Sequence, residues 1–380
     1  MVGNTAGAED LSVAILHDRF PQIGGGETFA IEAARTLDAP IYTMYVSAGT
    51  NLPNDVEVIP IRQNKYARGL SKHLLEWKNE GMNPLETLSV ALDMTDAHPD
   101  LQDYDVVLES APLSKHYVPD VDQTVIHYPH SPPRWLYDLY RDRMDSFDYP
   151  GVRVFLKAYA KWWRALDKEA NDYVDTFVAN SELIRDRIRR FYGRDAEVVY
   201  PPVTGDWRNE GDEGYFVTWS RLAPEKRIPM IVEAFTELDE RLVVAGDGEE
   251  REKIGRIAAG HDNIEVRGFV EDIESLVANA TAVVYAPKQE DFGLVGAESL
   301  SAGKPLLGVN EGFTKYQVTE ETGLLFEPTV ESLRETVRQF DPEKFDADRI
   351  LEIAEQYRYE EFQDRLREVV EQSTTESATE

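Results

Sequence analysis

Short apolar runs rich in Val, Ile and Tyr alternate along the chain with longer stretches whose apolar positions repeat at helical spacing. LSVAILHD, PIYTMYV, VEVIPI, YDVVLES, QTVIHY and TFVANS lie in the first half, and YFVTWS, RLVVAGDG, NIEVRGFV, TAVVYAP, KPLLGVN and GLLFEP in the second. Helical spacing is clearest in IPMIVEAFTEL, DIESLVANA and GLVGAESLSAG. Strands alternating with helices predict a parallel, doubly wound sheet, so both halves read as α/β units. Between them AEVVYPPVTGDW supplies two prolines and a glycine, which places the linker near Tyr200 to Asp206. The expected organisation is therefore an N-terminal domain over 1–200 and a C-terminal one over 201–342. Charged helices over 343–372 follow, able to pack back on the N-terminal domain, and the polar stretch 373–380, without apolar anchors, is expected to be disordered. Two such domains predict a cleft lined by the carboxyl ends of both sheets, so functional motifs should fall just after strands.

Composition narrows the class. At 380 residues the chain is long enough for two cores. Its 71 acidic and 40 basic side chains give a net charge of −31, spread along the whole length. An acidic surface with ordinary apolar content suits a protein kept soluble in concentrated salt, such as one from a halophilic archaeon, although an acidic protein from an ordinary source reads the same way. Nucleic-acid binding needs a basic stripe and is not expected. The absence of cysteine excludes disulfides, thiolate zinc sites and thiol catalysis. MVGNTAGAEDLSVAIL lacks the basic region and long apolar core of a signal peptide, and no segment approaches the ~20 apolar residues of a membrane span. The expected location is the cytoplasm, at most the inner face of the cell membrane.

The strongest motif is TAVVYAPKQEDFGLVGAESLSAGKP. Its strand ends at Pro287, Glu290 lies in the following loop, and a helix should begin near Phe292 or Gly293, with Glu298 between one and two turns in. Backbone N–H groups of Phe292, Gly293 and Leu294 at that helix start favour a phosphate or a sugar oxygen, and Gly293 admits a close ligand. Two carboxylates so spaced can hold sugar and ribose hydroxyls, although two acids at a helix start also serve simply to offset its dipole. The string resembles the E-x7-E signature of family 4 retaining glycosyltransferases of GT-B fold. That resemblance implies that Glu290 faces the transferred sugar and Glu298 holds the nucleotide ribose.

Further motifs follow the same pattern. In VTWSRLAPEKRIPMIVEAF a strand delivers Arg221 and then Lys226, two cations able to neutralise a diphosphate, or alternatively a solvated turn. The string resembles the family's S-R-L-x-x-x-K diphosphate site, with Arg227 where the family often has Gly. LHDRFPQIGGGETFAIEAAR places glycines between the first strand and helix. It resembles the family's G-G-x-E loop, which makes Gly25 and Gly26 donor-binding candidates. Gly248 and Val270 match family positions near the phosphates and the base. QTVIHYPHSPPRWLYDLY carries His127 and His130 at a strand end. The stretch after it resembles that of bacterial mannosyltransferases of the family, and H-Y-P resembles a eukaryotic lipid-linked-oligosaccharide pattern, so either histidine is the candidate catalytic one.

Two stretches stand out against the acidic background. GVRVFLKAYAKWWRAL has no acidic residue from Val152 to Leu166, and IRQNKYARGLSKHLLEWK is similarly basic. Both read as interfacial surfaces over 152–166 and 60–78, for anionic lipid or a lipid-diphosphate acceptor, or as amphipathic helices facing the core. Together the resemblances imply a metal-independent hexosyltransferase, mannose or glucose type, that uses a nucleotide-diphosphate sugar as co-substrate. The acceptor would be a glycan or lipid-phosphate-linked chain in surface-glycan or N-glycan precursor assembly. A nucleotide-sugar epimerase, a phosphorylase or a noncatalytic sugar-nucleotide-binding subunit would share the scaffold.

Overall fold

Each apolar run read as a strand forms one in the computed structural model, which describes residues 11–21, 23–61, 84–145 and 150–377. The first series is β1 (Val13–His17), β2 (Ile41–Thr43), β3 (Val58–Pro60), β4 (Val106–Ser110), β5 (Thr124–Tyr128) and β6 (Thr176–Ala179), joined by a short β7 (Glu197–Val198) just ahead of the linker. They assemble in the order β3-β2-β1-β4-β5-β6-β7, with every pair parallel. β1, β4 and β5 are buried at every position, as apolar runs without alternation require when helices cover both faces.

The second series builds a sheet of its own: β8 (Tyr215–Trp219), β9 (Arg241–Ala245), β10 (Ile264–Gly268), β11 (Ala282–Tyr285), β12 (Leu306–Val309) and β13 (Gly323–Phe326). Its order is β10-β9-β8-β11-β12-β13, again all parallel. Leu222, Ile231, Val232, Phe235, Val284, Leu307 and Leu333 form its fully buried core. Each such side chain contributes about 1.5–3 kcal/mol by leaving water. In both sheets the strand order reverses direction once, between β1 and β4 and between β8 and β11. Loops at the carboxyl ends diverge there and leave the crevice in which open α/β sheets bind ligands.

The chain divides into unit 1, Met1–Tyr200 with Gln363–Glu380, and unit 2, Pro201–Phe362. Unit 2 thus extends beyond residue 342 to include the helix Ala347–Ala354, and the final helix, Tyr359–Ser377, carries the chain back into unit 1. In unit 1 that helix buries Leu366, Val369 and Val370, and Arg367 Nη2 donates to the Thr36 carbonyl at 3.3 Å. Against the expectation of a disordered tail over 373–380, the helix continues through Ser377, while 378–380 lie outside the described residues. Ser373 is 2% exposed and donates 2.8 Å to Thr176 Oγ1, while Thr374 and Thr375 bond back to carbonyls of the preceding turn. Hydroxyls anchored in this way do the work that apolar side chains do elsewhere, so a polar composition concealed a packed helix. Of the basic stretch over 60–78, residues 62–78 lie outside the described residues.

Candidate functional site

In unit 2 the site grows from two loops that leave adjacent strands. After β8 the chain passes Arg221 and a turn over Pro224–Lys226 into helix Ile228–Phe235, and after β11 it passes Glu290 into helix Leu294–Ser301. Because β8 and β11 pair directly, their loops meet: the Lys288 N–H donates to the Glu225 carbonyl at 2.7 Å, and Lys226 Nζ reaches Glu290 Oε2 at 2.5 Å. The Tyr285 hydroxyl at the end of β11 donates to the same carboxylate oxygen at 3.3 Å. Burial first, then the charges of Glu290 and Glu298, raise the Tyr285 phenol well above its ordinary value, so both acids act on this one ring.

The backbone of these loops is built around the acid. Gly293 caps the helix at φ +82°, and a Cβ there would lie 3.1 Å from Tyr285 Cε1 and 3.3 Å from Glu290 Cγ. Gly312, at φ +58°, presses against Glu290 so closely that a Cβ would sit 2.5 Å from both its N and its O. Arg227 takes the left-handed conformation, φ +53°, that a glycine would take more cheaply, and Glu311 holds its guanidinium at 2.9 Å. Arg221 is 60% exposed and paired with Glu225 at 2.9 Å, a surface pair weak enough to be exchanged for a phosphate.

Glu298 lies in the Leu294–Ser301 helix and is half-buried. Burial pushes its carboxyl up to about 7, a hydrogen bond from Trp219 pulls the other way, and Glu274 adds to the rise. Gly248 packs on the loop after β8, where a Cβ would come within 2.5 Å of the Leu222 carbonyl oxygen. Val270 follows β10 and is half-buried. Phe292 points inward, 4% exposed, against Phe313 and Tyr357, which leaves only its backbone for a ligand, and Leu294 opens the helix.

Unit 1 gathers a second set at the carboxyl ends of β1, β4 and β5. Gly25 begins the helix Gly25–Leu37, whose start is tied by the Gly24 N–H donating to Glu27 Oε2 at 3.0 Å. Gly26 lies under His130, with a Cβ position 3.6 Å from the ring Nε2. His130 stands past the end of β5 at φ +56°, its carbonyl accepting from Asn180 Nδ2 at 3.0 Å. Ser110 Oγ lies 3.1 Å from His130 Nε2 and 3.2 Å from His17 Nδ1. Burial lowers His130 to about 3 and His17 to about 4, so both rings are neutral at pH 7. Asp18 beside them is raised to about 7 by burial, against the N–H of Leu113.

His127 does not join this group. It lies inside β5, 0% exposed, with Nδ1 2.9 Å from Glu109 Oε2, itself 0% exposed. Burial lowers the imidazole and raises the carboxyl, so the pair is held neutral. Three residues along an extended chain are enough to take one histidine from sheet interior to loop, and only His130 reaches the edge. Next to this pair Lys115, 0% exposed, bonds to Asp167 at 3.0 Å and Asn171 at 2.9 Å. Tyr285, Ser110, Asp18 and this buried ion pair escaped the sequence reading. Tyr285 alone left a trace, as a hydroxyl closing an otherwise apolar strand.

Among the described residues no group of three His, Asp or Glu side chains could hold a metal ion, and no helix is long and apolar enough to cross a membrane. Residues 205–374 match the family of glycosyl transferases group 1. The chain is similar to a probable transglycosylase of Burkholderia thailandensis, 31% identical over 149 residues, or 34% of this chain and 39% of that protein. It is also similar to the GDP-mannose-dependent alpha-(1-6)-phosphatidylinositol dimannoside mannosyltransferase of Mycobacterium tuberculosis, 30% identical over 126 residues, or 31% of this chain and 33% of the relative. It therefore spans well under half the length of these two relatives. Anabaena HepE, solved with UDP, shares the fold at a TM-score of 0.68 and 15% identity, over 95% of this chain and 99% of that one. HepE shows the fold, two units each built on a parallel sheet as in GT-B structures. Within it, residues 205–374, and with them the β8/β11 site, carry the group 1 match.

Proposed function

We propose that the protein transfers a hexose, of mannose or glucose type, from a nucleotide-diphosphate sugar to a glycan or lipid-phosphate-linked acceptor, with retention of anomeric configuration. The observation that carries this reading is the meeting of Lys226 and Glu290 at 2.5 Å across the β8/β11 switch point, one cation and one acid contributed by two separate motifs. In the reaction Arg221 and Lys226 stabilise the departing diphosphate, Glu290 orients the sugar, and Glu298 holds the ribose. The backbones of Gly248, Val270, Phe292, Gly293 and Leu294 line the donor. In unit 1 His130 is the catalytic candidate beside Gly25 and Gly26, and His127 keeps a structural role. These two side-chain cations can neutralise the leaving diphosphate in place of a metal. HepE has been solved with UDP and with UDP-glucose, and the mycobacterial relative is named for GDP-mannose, which supports a nucleotide-sugar donor without choosing the base.

A membrane-held acceptor in surface-glycan or N-glycan precursor assembly would be met by a cytoplasmic enzyme working at the inner face of the cell membrane. The net charge of −31 supports work in concentrated salt and a halophilic archaeal source. A panel of GDP- and UDP-sugars tests the proposal, by thermal shift first and then by transfer to lipid-phosphate acceptors. Stabilisation by one base and release of its nucleoside diphosphate only with acceptor present are expected. A folded sample that no nucleotide sugar stabilises refutes it.

A further inference from the structure

Among its described side chains, the helix Pro150–Glu169 buries one edge in unit 1. Ala160 and Trp163 are fully buried, and Asp167 accepts from Lys115 Nζ at 3.0 Å and from the Tyr137 hydroxyl at 2.7 Å. At roughly 100° per residue these three positions fall within one narrow arc. The opposite arc faces solvent. Along it Lys157, Lys168 and Lys161 form one column, and Val154, Ala165, Ala158, Trp162 and Phe155 continue as an apolar stripe that the exposed Glu169, the helix's last residue, closes at its C-terminal end. Val154 is 69% exposed, Phe155 64% and Trp162 46%. Such side chains are normally buried, and the half-buried Tyr159 stacks with Phe155, linking the exposed stripe to the buried Trp163.

We propose that this face lies flat on an anionic lipid bilayer, with Phe155 and Trp162 in the headgroup region, Val154 in contact with the acyl boundary, and Lys157 and Lys161 against lipid phosphates. Charge complementarity selects this partner. A chain of net charge −31 keeps every carboxylate off the helix from Val152 to Leu166 and lines the apolar stripe with ammonium groups, the pairing an interfacial helix needs. The helix is also fastened to the catalytic edge of unit 1. Lys115, which grips Asp167, stands on the loop leaving β4 beyond Ser110, the residue that contacts His130. A bilayer under this face would present a lipid-phosphate acceptor to that edge. In that purpose, though not in the binding itself, the inference rests on the proposed function.

The test is flotation of the full chain with phosphatidylglycerol vesicles and with phosphatidylcholine vesicles, in the salt at which the protein is folded. Wild type should float with the anionic vesicles and stay behind with the zwitterionic ones. Phe155→Ser with Trp162→Ser, and separately Lys157→Glu with Lys161→Glu, should each reduce partition by about 10-fold or more. All four positions are exposed, so far-UV circular dichroism, the melting temperature and nucleotide-sugar binding should be unchanged. Absence of flotation with phosphatidylglycerol overturns the proposal, as do variants that float like wild type. A wild-type dimer in light scattering that the Phe155→Ser/Trp162→Ser variant splits also overturns it, because the face then belongs to a second copy. Flotation uses no sugar transfer, so a protein that floats but transfers nothing refutes the proposed function and leaves this surface standing.

Discussion

Glu298 offers the sharpest check on the donor assignment, because its charge state and its proposed task are in tension. Burial raises its carboxyl to about 7, yet a ribose hydroxyl donates best to a carboxylate. If only the ionised form accepts the ribose, the competent fraction of free protein is roughly one eleventh at pH 6 and ten elevenths at pH 8, so donor affinity should rise about 10-fold over that interval. Titration calorimetry with a nucleotide sugar measures this cleanly, since its diphosphate diester has no proton to lose in the range. Glu298→Gln keeps an acceptor oxygen but cannot ionise, so its affinity should be flat with pH and close to the wild-type value at pH 6. Stability follows the opposite sign. A carboxyl whose folded value lies above its unfolded one favours the fold most below about 4.5, and this contribution is lost as pH rises through about 7. Solvent access holds the loss to the order of 2 kcal/mol. Wild-type affinity that is flat from pH 6 to 8, or that strengthens toward acid, would refute the reasoning.

Other perturbations separate the remaining roles. Glu290→Ala should cut transfer by about 100-fold or more while donor Kd changes little, whereas Lys226→Ala should weaken both, as steady-state kinetics and calorimetry on the pair will show. Gly312→Ala drives a Cβ into the Glu290 backbone and should lower both transfer and the melting temperature, by at least about 1 kcal/mol of stability in thermal unfolding. Asp167→Ala strands the buried Lys115 ammonium and should cost about 3–5 kcal/mol in denaturant unfolding, with Lys115→Met restoring much of the loss. Raising KCl from dilute to molar should increase the melting temperature of a chain carrying −31 charges.

Much of unit 2 was legible because its functional signals are local. Each strand there is a compact apolar run, and the candidates Arg221, Lys226, Gly248 and Glu290 follow strand ends in the next loop, with Glu298 in the helix beyond, so all could be placed by counting along the chain. What counting could not give was the pairing of Lys226 with Glu290, 64 residues away, because that contact depends on β8 and β11 being neighbours. Strand order is a long-range property, and only the reversal in each sheet fixes it. The same limit hid Tyr285, whose hydroxyl meets Glu290 only once the loop folds back on the strand end.

Unit 1 was harder for a different reason. Its carboxyl-end groups are assembled from β1, β4 and β5 with intervals of tens of residues, and the chain between Ser110 and His130 carries no sign that they will touch. The histidines show what was missing: the letters of QTVIHYPH offer two equal candidates, and the end of β5 divides them, one sealed against Glu109 and one set over Gly26. Helical spacing in GVRVFLKAYAKWWRAL left the interfacial and core-facing readings equal; the helix buries Ala160 and Trp163 on one arc and exposes Phe155 and Trp162 on the other. Trp163 is buried and Trp162 exposed, so adjacent identical letters serve opposite purposes. The direction of each side chain relative to the sheet, which the letters alone do not carry, decides between anchoring the helix and meeting whatever lies outside it.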